Sequence, residues 1–404
     1  MPATPELLVL TGLAAAGAEQ VIAPLRASDP DLAVLHHDLR DAARGVVHRR
    51  LRHRGLDEWT TLPPGRADIP RTLCEDVRAL ARPGAPARIL LHLDPVLEPE
   101  PVCGALTEVL PDGPPVPDLR GVVAVVDVGS WLDDATGDVT PAERGLAALP
   151  GDERTLAQVA VGQAELADVV VRTGTADAWR LARTDAVLAR LAPGAPRVLP
   201  AELREPVPPL GVRTRRGRVD GVHDPLLRGT PHSGSSGGVR LTLFAARRPF
   251  HPERLHDAVD VLLDGVVRTR GRVWLATRPD AVLWLESAGG GLRVGHAGDW
   301  LAAGGPAAWE AASPDRRAMA ALSWDDRFGD RAQHLTVLTH EADPAGIHAR
   351  LRAALLTDAE LAAGPAAWAR LPDPFGWWHA DPCGDPADAV TGLAQARPAD
   401  PDER

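Results

Sequence analysis

The chain has 404 residues and a formal net charge of -11, with 44 basic residues against 55 acidic ones. All of the basic side chains are Arg, and the sequence contains no Lys, Asn or Tyr. This excludes chemistry that needs Lys or Asn: the phosphate-binding Lys of a P-loop, a Lys Schiff base and a guanine-reading Asn-Lys-x-Asp motif.

The first half of the chain alternates short apolar runs with helical patterns. The runs cover residues 7–13, 32–35, 89–93, 122–126 and 169–171, and helical patterns cover 158–167 and 178–191. Short, continuously apolar strands separated by helices are typical of a sheet that is buried on both faces. We therefore predict an α/β fold for residues 1–200, with a doubly wound, mostly parallel sheet.

Residues 201–238 are rich in Pro, Gly and Arg, which predicts a linker. The alternation of Val239, Leu241 and Leu243 then predicts the first strand of a second unit. Pro252 stands near the start of the next predicted helix, which carries apolar residues at helical spacing: Leu255, Val259, Leu262 and Val266.

Further strands are predicted in the second unit at 272–277, 281–285, 292–294 and 334–338. A glycine-rich turn at 287–291 joins the second and third of these as a hairpin. A final helix carries Ile347, Leu351 and Leu355. This mixture predicts a smaller α+β domain over 239–380, followed by a disordered, Pro- and Asp-rich tail at 381–404.

A degenerate phosphate-loop motif follows the first predicted strand. Residues 12–19, GLAAAGAE, have the spacing of G-x-x-x-x-G-K-[ST]. Gly12 and Gly17 remain, but Ala18 replaces the Lys and Glu19 replaces the hydroxyl residue that would hold magnesium. A carboxylate at that position would repel phosphate. A simple tight turn is the alternative interpretation.

Several further segments follow a known pattern in the same order: VVAVVD at 122–127, QAELADVVV at 163–171, AARRPFHPERL at 245–255, RTRGRVWLA at 268–276, FGDR at 328–331 and LLTDAE at 355–360. Through them the chain resembles the CobW family of P-loop GTPases and metallochaperones over nearly all of its length. The resemblance implies a P-loop-like first domain and a CobW carboxy-terminal domain. It also makes Gly12, Gly17 and Asp127 remnants of a nucleotide site.

The chain departs from that family at the positions that carry chemistry. Residues 92–99, HLDPVLEP, keep only the last acid and Pro of the family's E-[ST]-[SG]-G-L-A-[DE]-P segment, and RTGT at 172–175 stands in place of N-K-x-D. Asp68, Ile69, Pro70 and Arg71 occupy the place of the metal-binding cysteines. We therefore expect no catalysis, no cofactor and no bound metal. A divergent GTPase or zinc metallochaperone, in which Arg replaces Lys, remains the alternative.

Two segments, VAVGQAE at 159–165 and DPFGWWHADPC at 373–383, resemble an actinobacterial subgroup of proteins that recruit ribosome hibernation factors. Members of that subgroup help the factor dock on ribosomes when zinc is scarce. The resemblance implies a hibernation factor and the ribosome as partners, and the basic residues add an expectation of contacts to rRNA phosphate. Arg and Trp are favoured at such interfaces, and the candidate partner-binding residues are Arg247, Arg248, Arg254, Arg270, Arg331, Trp377 and Trp378. A solvated face is the alternative for the arginines.

Other candidates are weaker. The basic stretch at 48–54 is a candidate for contact with rRNA phosphate, and the alternative interpretation is an incidental basic helix. The pairs His36 with His37 and His379 with Cys383 lack the three or four ligands of a zinc site, and His92 with Asp94 is an incomplete acid–base pair.

Some residues have simpler structural interpretations. We interpret Cys74 and Cys103 as buried thiols, and Trp274 and Trp284 as core residues. Three widely spaced cysteines indicate a reducing compartment. With neither a signal peptide nor a membrane span in the sequence, the expected location is cytoplasmic.

Overall fold

The structure, a computed structural model, describes residues 4–62, 69–81, 86–107, 117–149, 151–203, 215–227 and 236–375. The elements of the first part are β1 (Glu6–Thr11), α1 (Ala15–Ser28), β2 (Ala33–Asp38), β3 (Val47–His53), β4 (Leu56–Leu62), α2 (Ile69–Leu80), β5 (Arg88–His92), α3 (Pro99–Thr107), β6 (Asp118–Asp127), α4 (Trp131–Asp134), α5 (Leu156–Glu165), β7 (Val169–Thr173), α6 (Ala178–Leu191) and β8 (Arg197–Val198). Those of the second part are β9 (Arg240–Ala246), α7 (Pro252–His256), β10 (Val266–Val273), β11 (Ala281–Ala288), β12 (Gly291–Asp299), α8 (Leu301–Ala311), α9 (Pro314–Leu322), β13 (Gln333–Thr339), α10 (Pro344–Ala354), α11 (Asp358–Ala363) and α12 (Pro365–Trp368).

The first sheet has the strand order β4-β3-β2-β5-β1-β6-β7-β8 within the described residues. Every pairing from β2 to β8 is parallel, whereas β3 and β4 add an antiparallel hairpin at one edge. The prediction of a mostly parallel α/β sheet is confirmed. The hairpin was not predicted.

Alternate residues of β1 face opposite layers of helices. Leu7 and Val9 pack in one apolar cluster with residues of α2 and α3, whereas Leu8 and Leu10 pack in another with α1. A strand covered on both faces has no polar side. This explains why the parallel strands appear in the sequence as continuous apolar runs.

The basic stretch at 48–54 forms most of strand β3, so its interpretation as a helix was wrong. The chain reverses at Arg54 and Gly55, whose φ angles are +48° and +80°. Two consecutive residues with positive φ fit the tight turn that joins antiparallel strands. The turn returns the chain as β4, which pairs with β3 along its whole length.

The second sheet is antiparallel, in the order β12-β11-β10-β13-β9. The predicted hairpin is confirmed, because β11 and β12 pair up to Ala288 and Gly291. The strand predicted at 272–277 was placed too late, since β10 covers Val266–Val273. Val266 therefore begins a strand and does not extend the preceding helix. Three Arg residues within β10 hid its strand pattern, and two of them, Arg268 and Arg270, contact carboxylates from other elements.

Helix α5 connects the two parts of the molecule. Ala157 and Ala160 of this helix share an apolar cluster with Val267 of β10 and Ala288 of β11. Residues 215–227 of the predicted linker also contact both parts. On the side of the first part, the Arg216 amide donates a hydrogen bond to Asp168 Oδ1 at 3.0 Å. On the side of the second part, Val222 packs in an apolar cluster with residues of the second sheet.

Residues 204–214 and 228–235 of the predicted linker, and the predicted tail at 381–404, lie outside the described residues. In the parts of the chain that the structure covers, no helix is both long enough and apolar enough to cross a bilayer. Trp274 and Trp284 are 1% and 6% exposed, which confirms their interpretation as core residues.

Candidate functional site

The carboxyl ends of the parallel strands are where doubly wound sheets bind ligands, at the point where the strand order reverses. Here β5 and β1 are neighbours, with β2 beyond β5 and β6 beyond β1. The degenerate phosphate loop leaves the end of β1, and His92 ends β5. The fold therefore places this loop where a ligand would be expected.

Two backbone amides of the loop are already used in hydrogen bonds within a helix. Helix α1 begins at Ala15, and the Gly17 and Ala18 amides donate to the Ala14 carbonyl oxygen at 3.0 Å and 3.1 Å. Ala18 itself is 2% exposed and packs in the apolar core. A phosphate cradle needs backbone amides that point at the ligand. In this chain the Gly17 and Ala18 amides instead form the hydrogen bonds of the first turn of α1.

Tight packing holds the loop against the neighbouring strand. Gly12 has a φ of +155°, and a Cβ atom there would lie 2.5 Å from the Val125 carbonyl oxygen. A Cβ atom on Gly17 would lie 2.9 Å from Thr173 Oγ1. Both glycines are therefore required by the packing of β1 and α1 against β6 and β7, with no nucleotide involved.

The remaining positions of the nucleotide motif make structural contacts. Glu19 pairs with Arg52, with 2.9 Å between Oε1 and Nη2. Asp127 Oδ1 accepts a hydrogen bond from the Gly129 amide at 2.8 Å. Arg172 donates to Asp185 Oδ2 at 2.8 Å. The residues present do not fit a magnesium-bound guanine nucleotide, because the Gly17 and Ala18 amides and the side chains of Glu19, Asp127 and Arg172 are engaged in other contacts.

His92 and Asp94 do not form an acid–base pair. The His92 ring stacks on His36 with 4.5 Å between ring centres, and burial lowers the pKa of His92 to about 3. Asp94 accepts hydrogen bonds from the Leu39 and Val96 amides at 2.9 Å and 3.1 Å. Burial raises the pKa of Asp94. The aspartate thus organises the loops after β2 and β5.

The pair His36 and His37 does not converge on one point. Successive residues of a strand face opposite sides of a sheet. His36 contacts His92, whereas His37 Nε2 lies 2.8 Å from Asp76 Oδ2 on α2. Burial acts to raise the pKa of Asp76, but hydrogen bonding to His37 and the charge of Arg49 lower it overall. In the described ranges, no group of three or more His, Cys, Asp or Glu side chains is placed to hold a metal ion.

The arginines of the basic stretch are paired with carboxylates. Arg49 pairs with Asp76 and Arg50 with Asp57. Arg52 pairs with Glu19 and Arg54 with Asp31. All four distances are 2.7–2.9 Å. Phosphate contacts from this strand would have to compete with those pairs.

Most candidate arginines of the second part also have intramolecular partners. Arg248 donates to Asp358, Arg254 makes a two-pronged pair with Glu360, and Arg331 donates to the Pro279 carbonyl oxygen. The Nη1 atom of Arg247, in contrast, is buried and has no hydrogen-bond partner among the described residues. Trp377, Trp378, His379 and Cys383 lie outside the described residues.

Arg270 belongs to a buried charge cluster that sequence reasoning missed. Arg268 and Arg270 both contact Glu165, the last residue of α5, and Arg268 also contacts Glu286. Burial acts to raise the pKa of Glu165, yet the charges of Arg270, Arg268 and Arg215 hold it at about 2. The alternation of Arg268, Arg270 and Arg272 was the available signal, since it places the three side chains on one face of a strand.

Cys74 and Cys103 are 3% and 0% exposed, as predicted for buried thiols, and neither forms a disulfide. Burial raises the pKa of Cys103 to about 12. Because the thiolate is the reactive form, burial and this high pKa disfavour reaction of Cys103 in the folded protein.

Comparisons with known proteins give a consistent family. The model of the cobalamin synthesis protein CobW C-terminal domain matches residues 239–355. A zinc chaperone of Mycobacterium tuberculosis is 49% identical over 326 residues, which cover 78% of each chain. A zinc-regulated GTPase metalloprotein activator of Dictyostelium discoideum is 28% identical over 272 residues, covering 64% of this chain and 56% of the relative. The zinc-bound YjiA GTPase from E. coli aligns over 88% of this chain and 100% of its own, with 13% identity and a TM-score of 0.35.

Proposed function

Because the chain belongs to the CobW family, we propose that it is a noncatalytic member that positions a ribosome hibernation factor on ribosomes during zinc limitation. The observation that carries the noncatalytic part is the state of the phosphate loop, where the Gly17 and Ala18 amides are hydrogen-bonded within α1. The partner is proposed from the resemblance of residues 159–165 and 373–383 to the recruiting subgroup.

Loss of nucleotide chemistry is supported by physical reasons beyond the missing Lys. An Arg side chain could supply a positive charge from elsewhere, but it could not free the amides of α1. Unwinding the first turn would expose Ala18, whose methyl group lies in the core. The neighbouring Arg52 is already neutralised by Glu19.

The first test is thermal unfolding of the full chain with GTP and magnesium. A ligand at a hundredfold excess over its dissociation constant stabilises a protein by about 2.7 kcal/mol. We expect no change in Tm at millimolar GTP. A saturable rise in Tm that inorganic phosphate alone does not reproduce would overturn the noncatalytic proposal and restore the divergent GTPase.

The second test is affinity capture from zinc-starved cells, with ribosomal proteins and hibernation factor as the readout. We expect capture of both at near-physiological salt, and its loss in the Trp377→Ala, Trp378→Ala double variant. Trp179→Ala is the matched control, because Trp179 is 63% exposed and lies on α6, in the other part of the chain. If the wild-type protein retains neither partner, the recruiting role is refuted.

A zinc chaperone, carrying zinc as cargo, is the second candidate function. It is favoured by the 49% identical relative with that name. Cargo binding requires soft or imidazole ligands in a cluster, and the described residues present none. Equilibrium dialysis against buffered zinc separates the proposals: stoichiometric binding at submicromolar free zinc would favour the chaperone.

A further inference from the structure

A cavity lies between the two parts of the molecule, away from the phosphate loop. Its polar lining in the described residues consists of Glu165, Arg190, Arg215, Arg268, Arg270 and Thr336, and its apolar walls come from leucines and one proline. Helices α5 and α6 end at Glu165 and Leu191, just before the strands that follow them. The cavity therefore lies toward the amino ends of the parallel strands, opposite the edge that carries Gly12.

Four guanidinium groups from three separate segments converge on this cavity. Arg268 and Arg270 stand two residues apart on β10, so their side chains leave the same face. Arg190 comes from the end of α6, and Arg215 from the segment that connects the two parts. The side chains of Arg215, Arg268 and Arg270 are only 12–14% exposed.

Carboxylates nearby pair with these groups but leave individual donor atoms of Arg268 and Arg270 without an acceptor. Glu165, the one acidic residue among the described residues of the lining, faces both Arg268 and Arg270. Outside the lining, Glu286 also contacts Arg268, and Asp220 pairs with Arg215 at 2.9 Å. The Nε atoms of Arg268 and Arg270 are buried and have no hydrogen-bond partner among the described residues. Burial lowers the pKa of Arg215 and of Arg190, so both cations lie in a poorly solvated environment. A buried donor without an acceptor is unfavourable.

We propose that this cavity binds a small oxyanion of the phosphate class. Guanidinium groups match phosphate oxygens in geometry as well as charge. The cavity volume of about 40 Å³ corresponds to roughly three water molecules, at about 10–15 Å³ each. That is enough for the phosphate group and too little for a nucleoside. The anion joins α6, the 215–227 segment and β10, and so holds the two parts of the molecule together.

The experiment is isothermal titration of the full chain with inorganic phosphate at constant ionic strength in chloride, combined with thermal unfolding. We expect one saturable site and a saturable rise in Tm. Glycerol phosphate is titrated in parallel: binding of inorganic phosphate alone identifies the free anion, and binding of both identifies the terminal group of a phosphomonoester. Either result supports the proposal.

Two kinds of variant test the location. Arg268→Lys and Arg270→Lys keep a cation for Glu165 but remove the guanidinium fork, and we expect about tenfold weaker phosphate binding in each. Leu227→Trp changes no charge and places a large side chain at the mouth of the cavity. Leu227 is 39% exposed, so we expect the fold to tolerate this change. We expect it to block binding. Arg254→Lys, in a pair with Glu360 outside the lining, is the control.

Absence of a saturable phosphate effect in the wild-type protein would overturn the proposal. So would equal phosphate binding in the wild type, Leu227→Trp and both lysine variants, because that result places the anion elsewhere on the surface. The proposal is independent of the recruiting function, whose test measures capture of ribosomes and hibernation factor.

Discussion

Replacement of Glu165 by Gln is expected to destabilise the protein strongly, because this carboxylate pairs with two buried cations. Its side chain is 13% exposed and contacts Arg268 and Arg270. Lowering the pKa from 4.5 to about 2 corresponds to about 3 kcal/mol of folding free energy at neutral pH, at roughly 1.4 kcal/mol per pKa unit. Breaking a buried ion pair by removing one partner typically costs about 3–5 kcal/mol. Both routes predict a loss of about 3 kcal/mol for Glu165→Gln at pH 7.

The pH dependence of this loss has a defined sign. The pKa of Glu165 is lower in the folded protein than its ordinary value of 4.5. Its contribution to stability is therefore complete above about pH 4.5, and it decreases as the pH falls toward 2. In the acid range Glu165 becomes neutral, like Gln. The difference in unfolding free energy between wild type and variant should shrink over that interval.

The assay is equilibrium urea unfolding of wild type and Glu165→Gln at pH 7 and at several acidic values. Glu360→Gln is the matched control, because Glu360 also has a pKa of about 2, held there chiefly by its hydrogen bond to Arg254, but its side chain is 30% exposed. Gln still accepts from the Thr357 amide, and solvent screening limits the loss to about 1 kcal/mol or less. Equal losses in the two variants would refute the reasoning, as would a difference that does not depend on pH.

Three further predictions concern packing and reactivity. Trp274→Ala should lower the unfolding free energy by about 3–5 kcal/mol because this side chain is buried, whereas Trp179→Ala on the surface should change it by less than about 0.5 kcal/mol in urea unfolding. Gly12→Ala should lower the unfolding free energy by about 1–3 kcal/mol, because a Cβ atom at position 12 would meet a carbonyl oxygen. It should lower Tm more than Gly298→Ala, since a Cβ atom at position 298 meets nothing within 4 Å. In a variant whose sole cysteine is Cys103, a thiol reagent at pH 8 should label the chain only after denaturant is added, since the thiol is buried and its pKa is about 12; rapid labelling of the native protein would contradict this burial.

Local patterns were sufficient where local physics decides the structure. Helix α6 covers Ala178–Leu191, as predicted, and Asp177 begins it by accepting the Arg180 amide at 2.8 Å. The parallel strands were predicted because burial on both faces makes them apolar throughout. The β3–β4 hairpin was missed for the opposite reason: nearly every residue of β4 remains partly or fully exposed, so no apolar pattern marks it.

The side chains missing from the phosphate loop can be read from the residues alone, because Ala18 and Glu19 replace the functional residues and no Lys exists anywhere in the chain. Only the tertiary structure showed that the amides of this loop are hydrogen-bonded within α1. It also decided what the arginines do. Glu165 and Arg270 are 105 residues apart and meet because α5 packs on β10. The sequence gives the chemical type of each residue, but the partner of a residue depends on contacts between distant segments. These contacts decide whether a cation pairs with a carboxylate or is available to bind an anion.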